Sequence, residues 1–191
     1  DVTTSGNCLA LDSDGNVWTW GDATYGALGY GHPETGTNTA YDTNTGTPYK
    51  LDYNNWFGGS PIQDIWTFSG PALSAGRQGC FAIDNNGVLW AWGENHRGQL
   101  GLSPDYIRRP VPVLDTSKYG GMKKLVAAHS YYGSTIVLMN DGSLHIAGSR
   151  NGGALGEFFM GGMNPGVDAN DMFAGFNEVA PWWYNTYKGQ Y

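Results

Sequence analysis

Three stretches of 22 residues align with one another without a gap: CLALDSDGNVWTWGDATYGALG (8–29), CFAIDNNGVLWAWGENHRGQLG (80–101) and TIVLMNDGSLHIAGSRNGGALG (135–156). Gly15, Gly87 and Gly142 coincide, as do Gly21, Gly93 and Gly148, and then Gly29, Gly101 and Gly156. Self-similarity at this spacing is the mark of a repeat architecture. Each unit reads as a hairpin. A short apolar run (CLAL, CFAI, TIVL) meets an Asp-Gly or Asn-Gly turn and returns as NVWTWG, VLWAWG or SLHIAG. Alternation along the second run puts Trp18 and Trp20 on one face, and Trp90 with Trp92. The third unit carries His145 and Ala147 there, so its packing must differ.

A lone hairpin cannot bury its apolar face, whereas stacked neighbours can. Further strand-like runs lie between the hairpins. TPYKLDY precedes IQDIWTFSG, and RPVPVLD precedes MKKLVAAHS. Pro48, Pro61, Pro110 and Pro112 suit strand starts or sheet edges. Successive turn glycines are 72 and 55 residues apart, which leaves room for four short strands per unit. That is a propeller blade. The 30 glycines, 12 tyrosines and 8 tryptophans fit many short strands and tight turns.

The units resemble the regulator of chromosome condensation (RCC) repeat. Residues 80–101 carry its pattern most fully, ending in Asn95, Gly98, Gln99, Leu100 and Gly101. Residues 8–29 follow it well, with Ala27 in the Gln position, and residues 135–156 diverge most. The resemblance implies an all-β fold of β-propeller blades. About three repeats are expected, near 1–31, 47–102 and 109–157, within a single domain over 1–191. Residues 158–191 form a divergent tail or the start of another blade. Complete members usually carry about seven blades, so the propeller is expected to be partial or completed by oligomerisation. Open blade edges would then invite pairing with other copies or chains. The chain opens inside a strand-like pattern, as a mature product or an excised piece would. Roles known for the family are nucleotide exchange on a small GTPase with chromatin binding, enzyme inhibition, and many uncharacterised surface and phage proteins. Fold does not choose among them.

Charge narrows the partners. The net charge is −7, which argues against sequence-independent nucleic-acid binding. Its distribution is uneven: residues 1–64 hold eight acids and one base, and six of the ten bases lie between Arg97 and Lys124. No run is long and apolar enough for a membrane helix.

Catalytic signatures are missing. There is no Gly-x-Ser-x-Gly elbow and no phosphate loop ending in Lys-Ser/Thr. His32, His96, His129 and His145 lack metal-ligand spacing. The DSDG around Asp12 and Asp14 occupies the slot of DNNG and MNDG, which makes it a hairpin turn rather than a cation loop. Cys8 and Cys80 fill one slot in different repeats, and adjacent blades hold that slot beyond disulfide reach. The chain is therefore read as non-enzymatic, with no cofactor and no metal.

Recognition is expected where the repeat is interrupted. Residues 30–60 hold six threonines and six aromatics, Tyr30, Tyr41, Tyr49, Tyr53, Trp56 and Phe57. Loops on a rigid scaffold commonly carry binding. Tyr41, Tyr49, Tyr53, Trp56 and Phe57, with Trp182 and Trp183 of the tail, are the candidate ligand-binding residues. Rings beside polar amides suit sugar stacking. The leading expectation is an extracellular or virion-surface recognition module, of phage tail-fibre or adhesin type, binding a cell-surface glycan or protein. The alternatives are a structural component of a larger fibre or particle, and a regulator of a protein partner such as an exchange factor or enzyme inhibitor.

Overall fold

A computed structural model describes residues 2–4, 6–31, 44–69, 78–128, 133–149 and 172–179. These residues form three antiparallel sheets of four strands each. The first holds β1 (Val2–Thr4), β2 (Asn7–Leu11), β3 (Val17–Gly21) and β4 (Thr45–Leu51). The second holds β5 (Ile62–Ser69), β6 (Gln78–Asp84), β7 (Val88–Gly93) and β8 (Ile107–Asp115). The third holds β9 (Met122–Ala128), β10 (Ser134–Met139), β11 (Leu144–Ser149) and β12 (Met172–Val179). Strands neighbour one another in chain order, so each sheet is a four-stranded meander, the form of a propeller blade.

The sheet boundaries differ from the repeat boundaries read in the sequence. TPYKL lies in β4 and pairs with β3, not with the strand that follows it. RPVPVLD lies in β8 and pairs with β7. FNEV lies in β12 and pairs with β11, so residues 172–179 complete the third sheet instead of opening another. Strong turn signals mark the hairpin at the middle of each blade. The outermost strand arrives after a long excursion that no local signal spans. Pro48, Pro110 and Pro112 stand on these outermost strands, where a missing N–H costs no ladder bond, and Pro61 immediately precedes β5.

The repeated letters have repeated geometry. Register slips where Gly21, Gly93 and Gly148 meet the outermost strand, so each sheet carries a bulge at the same place. Just after it, the amides of Asp22, Glu94 and Ser149 donate to the carbonyls of Gly6, Gln78 and Gly133 at 3.1, 2.8 and 2.9 Å. The hairpin turns also match. Asp12 accepts from the amides of Asp14 and Asn16 and from the Trp18 indole, at 3.0, 2.8 and 2.9 Å. Asp84 does the same with Asn86, Val88 and Trp90 at 2.9, 2.9 and 3.0 Å. Burial pushes the Asp12 carboxyl upward, but the indole and amide donors outweigh it and hold the pKa at about 2. The turn reading of DSDG is thus what the structure shows.

Two cores lie between the sheets. Leu9, Val17 and Leu51 of the first sheet meet Ile65, Cys80, Ala82 and Trp92 of the second. Phe81, Leu89 and Ala91 on the other face of the second sheet meet Val137 and Met139 of the third. Polar side chains cross the first junction as well. Asn7 donates from Nδ2 to the Ala27 carbonyl at 3.0 Å and to Cys80 Sγ at 3.1 Å, while its backbone N–H donates to Gln78 Oε1 at 2.8 Å. Cys8 and Cys80 form no disulfide, and burial pushes the Cys80 thiol up to about 12, with the Asn7 donor opposing.

Candidate functional site

The Gly-x-Leu-Gly loop after each of the first two hairpins is built to dock. In the first sheet it reaches onto the second, where Leu28 is buried and the Ala27 carbonyl accepts the Trp92 indole N–H at 3.1 Å. Gly29 has φ +73°, and a Cβ there would lie 2.8 Å from the Trp92 ring. The loop is therefore a clasp between blades, and in the first two units the repeated phrase is structural, its third copy lying outside the described residues.

That clasp also sets the aromatic surface. Its Tyr25 is the one non-glycine among the described residues with positive φ, at 60°. For a bulky residue this conformation is a true outlier, costing about 1–3 kcal/mol, and such strain collects at functional sites. The Tyr25 ring stacks on Tyr106 at 4.9 Å and meets the edge of His96 at 5.8 Å. His96 and Tyr106 are themselves 4.3 Å apart, and the Arg108 guanidinium lies 5.3 Å from the Tyr106 centroid. The next residue, Arg109, places its guanidinium 4.9 Å from the Trp56 centroid. Trp56 meets Tyr49 edge-on at 6.4 Å, and Tyr49 meets Tyr30 at 4.9 Å. The dipeptide Arg108-Arg109 thus joins two ring clusters into one surface across the junction of the first two sheets. Tyr49 is 43% exposed and Arg109 is exposed, with the other members half-buried.

Four of the residues singled out in the sequence can be placed. Tyr49 lies on β4, and Tyr53 and Trp56 lie on the short helix α1 (Tyr53–Trp56), capped by the Asp52 carboxylate accepting from the Asn55 amide at 3.2 Å. Tyr49 and Trp56 share the surface just described. Tyr53 packs half-buried on the core between the first two sheets. Phe57 is only 1% exposed, wedged edge-on against Trp90 and Trp92 at 5.7 and 5.9 Å. It is a core residue and cannot meet a ligand. Tyr41, Trp182 and Trp183 lie outside the described residues. The sequence reading missed Tyr25, His96, Tyr106, Arg108 and Arg109. Its available signal was the crowding of six bases between Arg97 and Lys124, with Arg108-Arg109 two residues after Tyr106.

The catalytic alternatives meet physical objections. Ser143 Oγ lies 3.3 Å from His145 Nε2, but it also donates to Asp141 at 2.7 Å. The carboxylate thus takes the proton that an imidazole base would need, and it does not hold the imidazole from the far side as a triad requires. Burial lowers the His145 pKa, against the pull of Glu178 and Asp141, and the ring sits 4.3 Å from Tyr119. It is a packed histidine in a tryptophan's slot. A cleft of about 830 Å³ opens between the second and third sheets, bordered by Asn86, Lys123, Lys124 and Asn140. Its polar groups brace turns: Asn140 donates to the Gly120 carbonyl and Thr116 Oγ1 to the Gly87 carbonyl, each at 2.7 Å. Among the described residues no three His, Cys, Asp or Glu side chains converge as metal ligands, and no helix is long and apolar enough to cross a membrane.

Comparison with known proteins agrees with this architecture. Two family models of the "Regulator of chromosome condensation (RCC1) repeat" match residues 86–133 and 72–99. The human E3 ubiquitin-protein ligase HERC2 is 27% identical over 150 residues, 78% of this chain but 3% of that protein. The ultraviolet-B receptor UVR8 of Arabidopsis thaliana is 30% identical over 150 residues, 78% of this chain and 29% of UVR8. The chain therefore spans less than a third of either relative. Among solved structures, yeast RCC1 (Prp20) bound to Kap60 superposes with a TM-score of 0.60 at 18% identity, over 95% of this chain and 37% of the other. Prp20p of Saccharomyces cerevisiae was also solved in a study of its binding to Gsp1p and histones, with a TM-score of 0.58 at 19% identity, over 95% and 39%. The paired hairpins, the recurring bulge and clasp, and these matches together place the chain in the RCC1-type repeat family of β-propellers.

Proposed function

We propose that this chain is a non-catalytic protein-recognition module, and that it binds its partner through the aromatic–arginine surface at the junction of the first two sheets. One observation carries the reading: Arg108 and Arg109 bridge Tyr25, Tyr106 and His96 to Trp56, Tyr49 and Tyr30. Trp, Tyr and Arg are the residues that dominate protein–protein hot spots. Two guanidiniums on an otherwise acidic chain favour an acidic partner surface. The proteins that yeast RCC1 meets in those studies, Kap60, Gsp1p and histones, support reading the scaffold as a protein binder. Regulation of a small GTPase is the specific form to test first, since the repeat family includes exchange factors. HERC2 is named a ligase, but the match spans 3% of it, too little to carry that activity here.

This reading replaces the glycan-binding one. The Arg109 guanidinium covers a face of Trp56 that a sugar ring would need, and Phe57 is in the core. None of the relatives named above is an adhesin or a virion protein. The extracellular or virion-surface placement rests on composition alone.

The test is a titration of the chain against a GDP-loaded small GTPase and against core histones. Trp56→Ala and Arg109→Glu should each weaken binding by about 30-fold, the size of a hot-spot loss of about 2 kcal/mol. Accelerated nucleotide release would identify exchange. Binding that is unchanged in both variants overturns the assignment of this surface.

A further inference from the structure

The two junctions between sheets share one plan but differ at their polar centre. At the first, the Ala27 carbonyl accepts from Asn7 Nδ2 at 3.0 Å, from the Trp92 indole at 3.1 Å and from Cys80 Sγ at 3.4 Å. Strand register gives the counterparts at the second. Asn7 pairs with Gly21 as Gly79 pairs with Gly93, and Cys80 pairs with Trp92 as Thr135 pairs with Ala147. Gln99 stands in the second clasp where Ala27 stands in the first. Two of the three donors are therefore gone, since the side chains of Gly79 and Ala147 have nothing to donate. Phe176 restores a ring beside the clasp but not its N–H.

What remains at the second junction is polar and enclosed. Thr135, Val137 and Met139 alternate onto the face of the third sheet that meets the second, and Thr135 is fully buried. Gln99 is 1% exposed. Its Cα lies against Gly148, where a Cβ would come within 3.2 Å, and its Cδ lies against Gly133, where one would come within 3.4 Å. Gln99 Oε1 accepts the Arg97 amide at 2.9 Å, which leaves Nε2 as the outstanding donor. Neither Gln99 Nε2 nor Thr135 Oγ1 has a hydrogen-bond partner among the described residues. Buried polar groups are satisfied as a rule, by protein or by ordered water, and an internal water typically makes about three hydrogen bonds. We infer that the second junction binds one internal water. It accepts from Gln99 Nε2, shares a bond with Thr135 Oγ1 and donates to the Gln99 carbonyl, as the indole of Trp92 donates to that of Ala27. The first junction is thus closed by side chains and the second by solvent.

Water–protein cross-relaxation NMR on the whole chain tests this. The Gln99 side-chain amide protons should show a water cross-peak with the sign of a long-lived bound molecule. The fully buried Trp92 indole proton already has the Ala27 carbonyl, so it should show none and serves as the dry reference. Thr135→Val keeps the shape and removes the hydroxyl. It should abolish the cross-peak and lower the urea midpoint, because it takes a partner from the water. A dry junction gives the opposite sign, since the same substitution would then remove an unsatisfied buried hydroxyl and raise the midpoint. Thr135→Ser retains the hydroxyl and should keep the cross-peak. If Thr135→Val fails to fold, the Gln99 cross-peak of the native chain still decides. Its absence there, an equal cross-peak at Trp92, its persistence in Thr135→Val or a raised midpoint each overturns the proposal.

Discussion

Between the first and second sheets, the ring beside the Leu-Gly clasp is Trp92 of β7. Between the second and third, the equivalent of Trp92 is Ala147, and the ring is Phe176, which enters from β12. Gly29 faces Trp92 with a would-be Cβ at 2.8 Å, and Gly101 faces Phe176 with one at 2.5 Å. The repeat thus conserves a volume beside a glycine, not a tryptophan at a position. The register slip between Ile146 and Gly148 is where β12 departs from regular pairing, and Phe176 lies within that irregular stretch. The substitution has a polar consequence. Trp92 donates to the Ala27 carbonyl, and a phenylalanine has nothing to donate.

Removing the two rings is the most severe way to test this equivalence. Trp92→Ala should cost about 3–5 kcal/mol in denaturant unfolding, because the ring is fully buried and its loss leaves a cavity. Phe176→Ala should cost less, about 1.5–3 kcal/mol, since Phe176 is only half-buried. Equal losses would mean the two rings are not graded by burial as argued. Adding a methyl on the other side of each contact is milder. Gly29→Ala and Gly101→Ala should each destabilise by about 2 kcal/mol, from overpacking and positive φ together. A neutral result at either would show that the clasp has room the close contact denies.

The hairpins give the smallest and most pH-specific contrast. Asp12 holds its turn as a carboxylate, while the third hairpin has Met139 in that position. The Asp12 pKa is about 2 in the fold, against roughly 3.9 in an unfolded chain. Its contribution is therefore complete above about pH 4 and is lost as pH falls toward 2. The urea midpoint of the native chain should drop over that window, and Asp12→Asn should flatten the drop. An identical acid profile in the variant would remove Asp12 from the account.

The candidate surface was half legible in the sequence. Tyr49 and Trp56 stood out because they fall in the stretch that breaks the repeat. Phe57 stands in the same stretch and looked equivalent, but it points into the core between the first two sheets. Composition and spacing carry no information about which way a side chain faces at the end of a four-residue helix. Tyr25 was hidden inside the repeated phrase itself, where the argument for scaffold was strongest. Its contact with Tyr106 joins residues 81 positions apart in the chain.

What the sequence determined alone is local or periodic. Asp-Gly and Asn-Gly turns, alternating apolar runs and glycines at fixed offsets specify hairpins, because each acts over a few residues of backbone. Repetition then specifies that the hairpins stack. The tertiary structure decided which sheet each outermost strand joins, which ring fills each junction, and which aromatics meet the arginines. Those outcomes depend on contacts between residues far apart in the chain, where volume and direction matter and local pattern does not.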